Sequence, residues 1–196
     1  MKLILMPLLF PLLFVLSCDQ NSKHRISTHE EMVRLLKRNG GKRDKFNSAA
    51  KLVRLDSLLT LRDRNDDEVR NDSYLKANVL LELGREKEAI QILEPLIGNE
   101  LPYETPKEKR SLALAYLRQG ERSNCIVNHA AESCIIPIER VGVYTDTDWT
   151  RKAIELYTEL LVKYPSDLES RWLLNFAYMT LGEYPKEVPE KFFIPG

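Results

Sequence analysis

The sequence predicts an all-α fold of stacked helix pairs, and three observations predict it. Apolar residues recur at i, i+3 or i+4 and i+7 along most of the chain, while alternating apolar/polar runs are almost absent. Glycine is sparse, eight in 196 residues, and several glycines stand where an apolar stripe stops. A small residue, a glycine and a second small residue follow one another at Ala77, Gly84 and Ala89, and the pattern restarts at Ala113 and Gly120. Apolar residues make up 43% and charged ones 30%, the balance of a soluble globular or repeat protein. Lys plus Arg equals Asp plus Glu, 29 each, which argues against nucleic acid as the main partner because phosphate binding needs concentrated positive charge.

The first residues, 1–17, read as an export signal and not as part of the fold. Lys2 precedes an apolar run from Leu3 to Leu16, interrupted by Pro7 and Pro11 and too short to span a bilayer comfortably. Val15-Leu16-Ser17-Cys18 resembles the lipobox of bacterial lipoproteins. That resemblance implies cleavage before Cys18 and acylation of its sulfur and amine, and more than one acyl chain anchors stably. The competing reading is an ordinary secretory signal with a cysteine near its cut. Residues 18–27 are polar and aperiodic, a tether between membrane and domain.

An N-terminal helical pair is expected over 28–70. Thr28-x-x-Glu31 is a capping box ahead of Met32, Val33, Leu35 and Leu36, and Asn39-Gly40-Gly41 ends the helix. The basic cluster Lys37, Arg38, Lys42, Arg43 and Lys45 around that stop reads as a solvated loop or as contact with anionic headgroups. A second helix is predicted from about Asp44 to Leu61, with Leu52, Leu55, Leu58 and Leu59 inward. The mixed-charge run from Arg62 to Asp72 reads as a linker and helix start.

Residues 71–185 carry the repeated pattern. Gly84 is the turn between two helices, and the small residues Ala77 and Ala89 let them approach, with Leu80, Leu93 and Leu96 between them. In the next copy Ala113 and Tyr116 lead to Gly120 at the turn, and Cys125 takes the place of Ala89. An insert near 138–149 precedes another second-type helix from Arg151 to Pro165. Asp167 to Gly182 is a last first-type helix, with one stripe through Leu174, Ala177, Tyr178 and Leu181 and another through Trp172, Phe176 and Met179. Residues 186–196, broken by prolines, are expected to be an extended C-terminal tail. These offsets resemble the tetratricopeptide repeat, which implies a helix-pair solenoid with a concave binding face and no chemistry of its own.

A more specific likeness is carried by Asn124-Cys-Ile-Val-Asn-His-Ala-Ala-Glu-Ser-Cys-Ile-Ile-Pro-Ile138, by Tyr144-Thr-Asp146, and by Leu168 through Pro185. Over roughly 70–196 the chain resembles the N-terminal helical region of bacterial extracytoplasmic FG-GAP/VCBS-repeat proteins of the ASPIC/UnbV (cartilage acidic protein-like) family. In that family a β-propeller follows the helical region, and here the sequence stops at about that point. Tyr144 stands where many relatives have histidine, which weakens any metal role for the insert.

With Cys18 assigned to lipid, Cys125 and Cys134 remain. A disulfide between them, two buried thiols, and a metal or haem site built from Cys125, His129 and Cys134 are all open. No nucleophile elbow, phosphate loop, HExxH motif or CxxC pair occurs, so no catalytic residue and no cofactor are expected. The repeat resemblance places first-helix residues on the concave face: Tyr74, Asn78 and Leu81, then Arg110, Leu114 and Arg118, then Trp172, Phe176 and Met179. Two arginines beside an aromatic and methionine patch suit an extended peptide or acidic segment. The other reading of Trp172, Phe176 and Met179 is packing against the tail or a neighbouring domain. The sequence therefore points to a non-enzymatic, lipid-anchored scaffold in the bacterial cell envelope that holds a protein or peptide partner. An envelope-assembly lipoprotein feeding a membrane complex and a metal- or haem-handling protein are the alternatives.

Overall fold

Side-chain caps decide where several helices begin. The computed structural model describes residues 28–39, 46–98, 106–126 and 130–195, with Asn39, Ala131 and Cys134 described in backbone only. Residues 1–44 and 45–196 are two separate compact units. The described part of the first is α1 (His29–Asn39), where Thr28 Oγ1 accepts the Glu31 amide at 3.1 Å, the predicted capping bond.

The second unit holds α2 (Ser48–Leu59), α3 (Asp66–Glu82), α4 (Glu86–Leu96), α5 (Pro106–Cys125), α6 (Asp148–Lys163) and α7 (Leu168–Thr180). No strand occurs among the described residues. Asn47 caps α2 and Asn65 caps α3, accepting the amides of Ala50 and Glu68 at 3.1 and 2.8 Å. Within the run from Arg62 to Asp72, expected as a linker and helix start, α3 begins at Asp66 behind that cap. Gly84 and Gly182 stop α3 and α7 at φ values of +70° and +68°, which a side chain would oppose. The Arg85 and Glu183 amides then reach back to the Leu80 and Tyr178 carbonyls, both at 2.9 Å.

Helices α2 to α7 pack sequentially, each on the next. The core between them is leucine-rich: Leu80, Leu93, Leu112, Leu160, Leu161 and Leu174 are all buried. Each contributes about 1.5–3 kcal/mol relative to an exposed position. Ala77 and Ala89, and Ala113 and Ala153, all fully buried, leave room for close helix approach in the α3/α4 and α5/α6 pairs.

One expected turn is corrected. Gly120 does not end a helix but lies buried inside α5, which runs on to Cys125. A Cβ at Gly120 would sit 2.7 Å from Thr150 Oγ1 and 3.5 Å from Trp149 Cβ, so the missing side chain is what lets α6 approach. Cys125 is consequently the last residue of α5 and not part of a second helix. The partner of α5 is α6, and Ala153 holds the place expected for Cys125.

The connection between them, residues 126–147, contains 3-10 turns at Ala131–Cys134 and Arg140–Gly142. These turns touch closely, because a Cβ on Gly142 would meet the Glu132 carbonyl oxygen at 2.5 Å. Asn124, 5% exposed, fixes the end of the excursion. Its Nδ2 donates to the Gly120 and Asp146 carbonyls, both at 2.8 Å, and its Oδ1 accepts the Thr145 and Asp146 amides at 2.8 and 2.9 Å. Buried Tyr144 donates its amide to the Thr180 carbonyl at 2.8 Å, joining the excursion to the end of α7.

Candidate functional site

The residues expected on one face divide between internal structure and open surface. On α3, the Asn78 Nδ2 donates to the Tyr74 carbonyl at 2.8 Å and its Oδ1 accepts from Ser111 Oγ at 3.0 Å, tying α3 to α5. The Tyr74 ring lies 4.8 Å beneath Lys107 Nζ. Leu81 is buried and Leu114 half-buried.

Both arginines have partners within the chain. The Arg110 Nε and Nη2 donate to Asp167 Oδ2 at 3.0 and 2.5 Å. Asp167 also accepts the Ser170 amide at 3.1 Å and caps α7, so this pair fixes the start of that helix against α5. Arg118 Nη2 lies 3.4 Å from Glu86 Oε1, while Arg122 Nη1 donates to the other oxygen at 2.6 Å and to the Gly84 carbonyl. Glu86 is 4% exposed, and two cations offset the cost of burying its charge. The charge that suits an acidic segment is thus balanced internally.

Burial pushes the Asp167 carboxyl up, but the hydrogen bonds from Arg110 and Ser170 outweigh it and hold the group below the usual carboxylate range. Because the folded value is depressed, the stability it adds is complete above the unfolded value near 4 and is lost as pH falls through the folded value. Acid unfolding curves of wild type and Asp167→Asn are therefore expected to converge below about pH 4 and separate above it. Parallel curves across that range would mean the ion pair carries no stability.

The open surface is on α7. Trp172 is 53% exposed and stacks on Phe176 with ring centroids 5.7 Å apart and planes 7° from parallel. These rings and Met179 line one wall of a cleft of about 220 Å³, and Ile136, Tyr184, Ile194 and Pro195 line the others. The sequence brings α7 to this site; it does not announce the role of the tail. Residues 190–192 form a 3-10 turn where an extended tail is expected, and Phe192 is buried in the core. Arg171 donates from Nε and Nη2 to the Phe192 and Phe193 carbonyls at 3.1 and 2.7 Å. Asn175 donates to the Phe192 carbonyl at 2.8 Å and accepts the Ile194 amide at 3.1 Å. Tyr184 completes the strap by donating its hydroxyl to the Ile194 carbonyl at 2.8 Å. The sequence signal for it is that Arg171 and Asn175 lie four apart on a helix otherwise rich in apolar residues.

A wider recess of about 600 Å³ lies beside the α3–α4 turn and the end of α5. Its charges are satisfied locally, Arg85 by Glu88 at 2.6 Å and Arg122 by Glu86, which leaves it without the convergent polar groups of a ligand site.

Cys18, His129 and the side chain of Cys134 lie outside the described residues, so the lipidation site, the disulfide pairing and the Cys/His group do too. Cys125 is half-buried. Among the described residues no cluster of three or more His, Cys, Asp or Glu is placed to hold a metal ion. Among them too, no helix is long and apolar enough to cross a membrane. No family model matches the chain, and neither a curated protein nor a solved structure matches it.

Proposed function

We propose that this chain is a non-enzymatic scaffold of the tetratricopeptide type, lipid-anchored through Cys18 in a bacterial cell envelope, that holds a protein partner at the α7 cleft. The close-packed α3/α4 and α5/α6 pairs, each with a fully buried alanine on both helices, support the repeat reading. The observation that carries the binding role is Trp172, more than half exposed and stacked on Phe176 at an apolar cleft. A rigid aromatic pair beside a preformed pocket is the usual form of a binding anchor. The occupant is an apolar side chain of the partner, with Trp172 closing over it. On the family resemblance, the partner is a β-propeller.

Trp172→Ala is expected to change folding stability by less than about 1 kcal/mol, because so much of the indole is already in water. A photo-crosslinking amino acid at Leu168, which is 72% exposed one turn from Trp172, should give a discrete adduct in intact envelopes. Mass spectrometry should identify a propeller chain in it, and Trp172→Ala should remove it. An adduct unaffected by that substitution, or a large stability loss, returns the aromatic pair to a packing role.

A further inference from the structure

We infer that α1 is an interfacial helix that lies in the headgroup layer of an anionic membrane. The inference deepens the proposed function and rests on it for the anchor that brings α1 to a bilayer. At 100° per residue, Met32, Val33, Leu35 and Leu36 fall on one side of α1, and Arg34, Lys37 and Arg38 on the other. The apolar side is partly open, with Met32 43% and Leu36 62% exposed and Val33 and Leu35 half-buried. Burying such a face in water-free surroundings is favourable, and the long cationic stems reach from the helix flanks to the phosphates. At eleven residues α1 is too short to span a bilayer.

Charge complementarity selects the occupant. The chain is neutral as a whole, yet residues 18–46, which remain after cleavage before Cys18, hold eight of its Lys and Arg and four of its Asp and Glu. The excess positive charge is therefore concentrated at the end that carries Cys18, and the rest of the chain is acidic. Lys and Arg close to an anionic surface each contribute favourably, and the contribution decays within a Debye length. Reach is sufficient: from Cys18 to His29 even a fully stretched chain spans no more than about 40 Å. An anchored molecule holds α1 at high local concentration over the headgroups.

The test is amide hydrogen exchange of the full chain, anchored in phosphatidylcholine vesicles or in vesicles containing about one third phosphatidylglycerol. Exchange in α1 is expected to slow about tenfold more on the anionic vesicles, and high salt should remove the difference. Arg34→Gln/Lys37→Gln/Arg38→Gln, which keeps helix propensity, should abolish it, and so should Met32→Ser/Leu36→Ser. Equal exchange on the two vesicle types overturns the inference: equally slow means protein covers the face, equally fast means nothing does. Retention of wild type and Cys18→Ala on the neutral vesicles reports the anchor separately. If both variants stay bound, the acylation reading fails while the α1 comparison still stands.

Discussion

Tyr157→Ala is expected to cost about 3–5 kcal/mol, the range for deleting a buried aromatic ring. Tyr157 is 0% exposed and is the largest fully buried side chain, set in α6 among residues of the α5, α6 and α7 layer. Its hydroxyl finds no hydrogen-bond partner among the described residues, and burial pushes its ionisation far above the ordinary tyrosine value. The ring and the hydroxyl therefore act in opposite directions. Tyr157→Phe should hold stability level or raise it by up to about 1 kcal/mol, because it removes a desolvated polar group and leaves the packing intact. Chemical denaturation of both variants decides this. A clear loss in the phenylalanine variant would mean that the hydroxyl contributes a stabilising interaction.

Asn175→Ala should lower stability by about 2–3 kcal/mol. Asn175 is 2% exposed, and its amide serves Phe192 and Ile194 at once, reading the strap through its backbone. Alanine leaves the Ile194 amide without its acceptor, while the Phe192 carbonyl keeps Arg171. The strap should then open locally before the helices unfold. Limited proteolysis should cut the variant within 188–195 under conditions that leave wild type whole, with the α2–α6 fragment still protected. Cleavage at equal rates in the two proteins would show that Phe192 in the core holds the strap without help from the amide.

The helices were legible because their signals are local. Thr28, Gly84 and Gly182 act within a turn or two, and the structure uses each of them at its expected place. Gly120 shows where local reading runs out. A glycine serves either a left-handed turn or a close approach, and the two look alike in sequence. Which use applies depends on Thr150, thirty residues away, facing it from α6. The arginines fail for the same reason. Arg110 and Arg118 present cations at helical spacing, but their partners, Asp167 and Glu86, are far along the chain. The tail has no periodicity at all. Its order comes from backbone groups held by Arg171, Asn175 and Tyr184, and backbone recognition leaves no mark on the residues recognised.

The excursion at 126–147 has an engineering consequence. Its two ends are held by the α5/α6 contact and by Asn124, neither of which depends on what the intervening chain contains. Closing a longer loop costs only about 0.6 kcal/mol per doubling of length. Foreign sequence spliced in at Ile135, which is well exposed and does not line the α7 cleft, would therefore be carried as cargo on an unchanged frame. The excursion behaves as a socket.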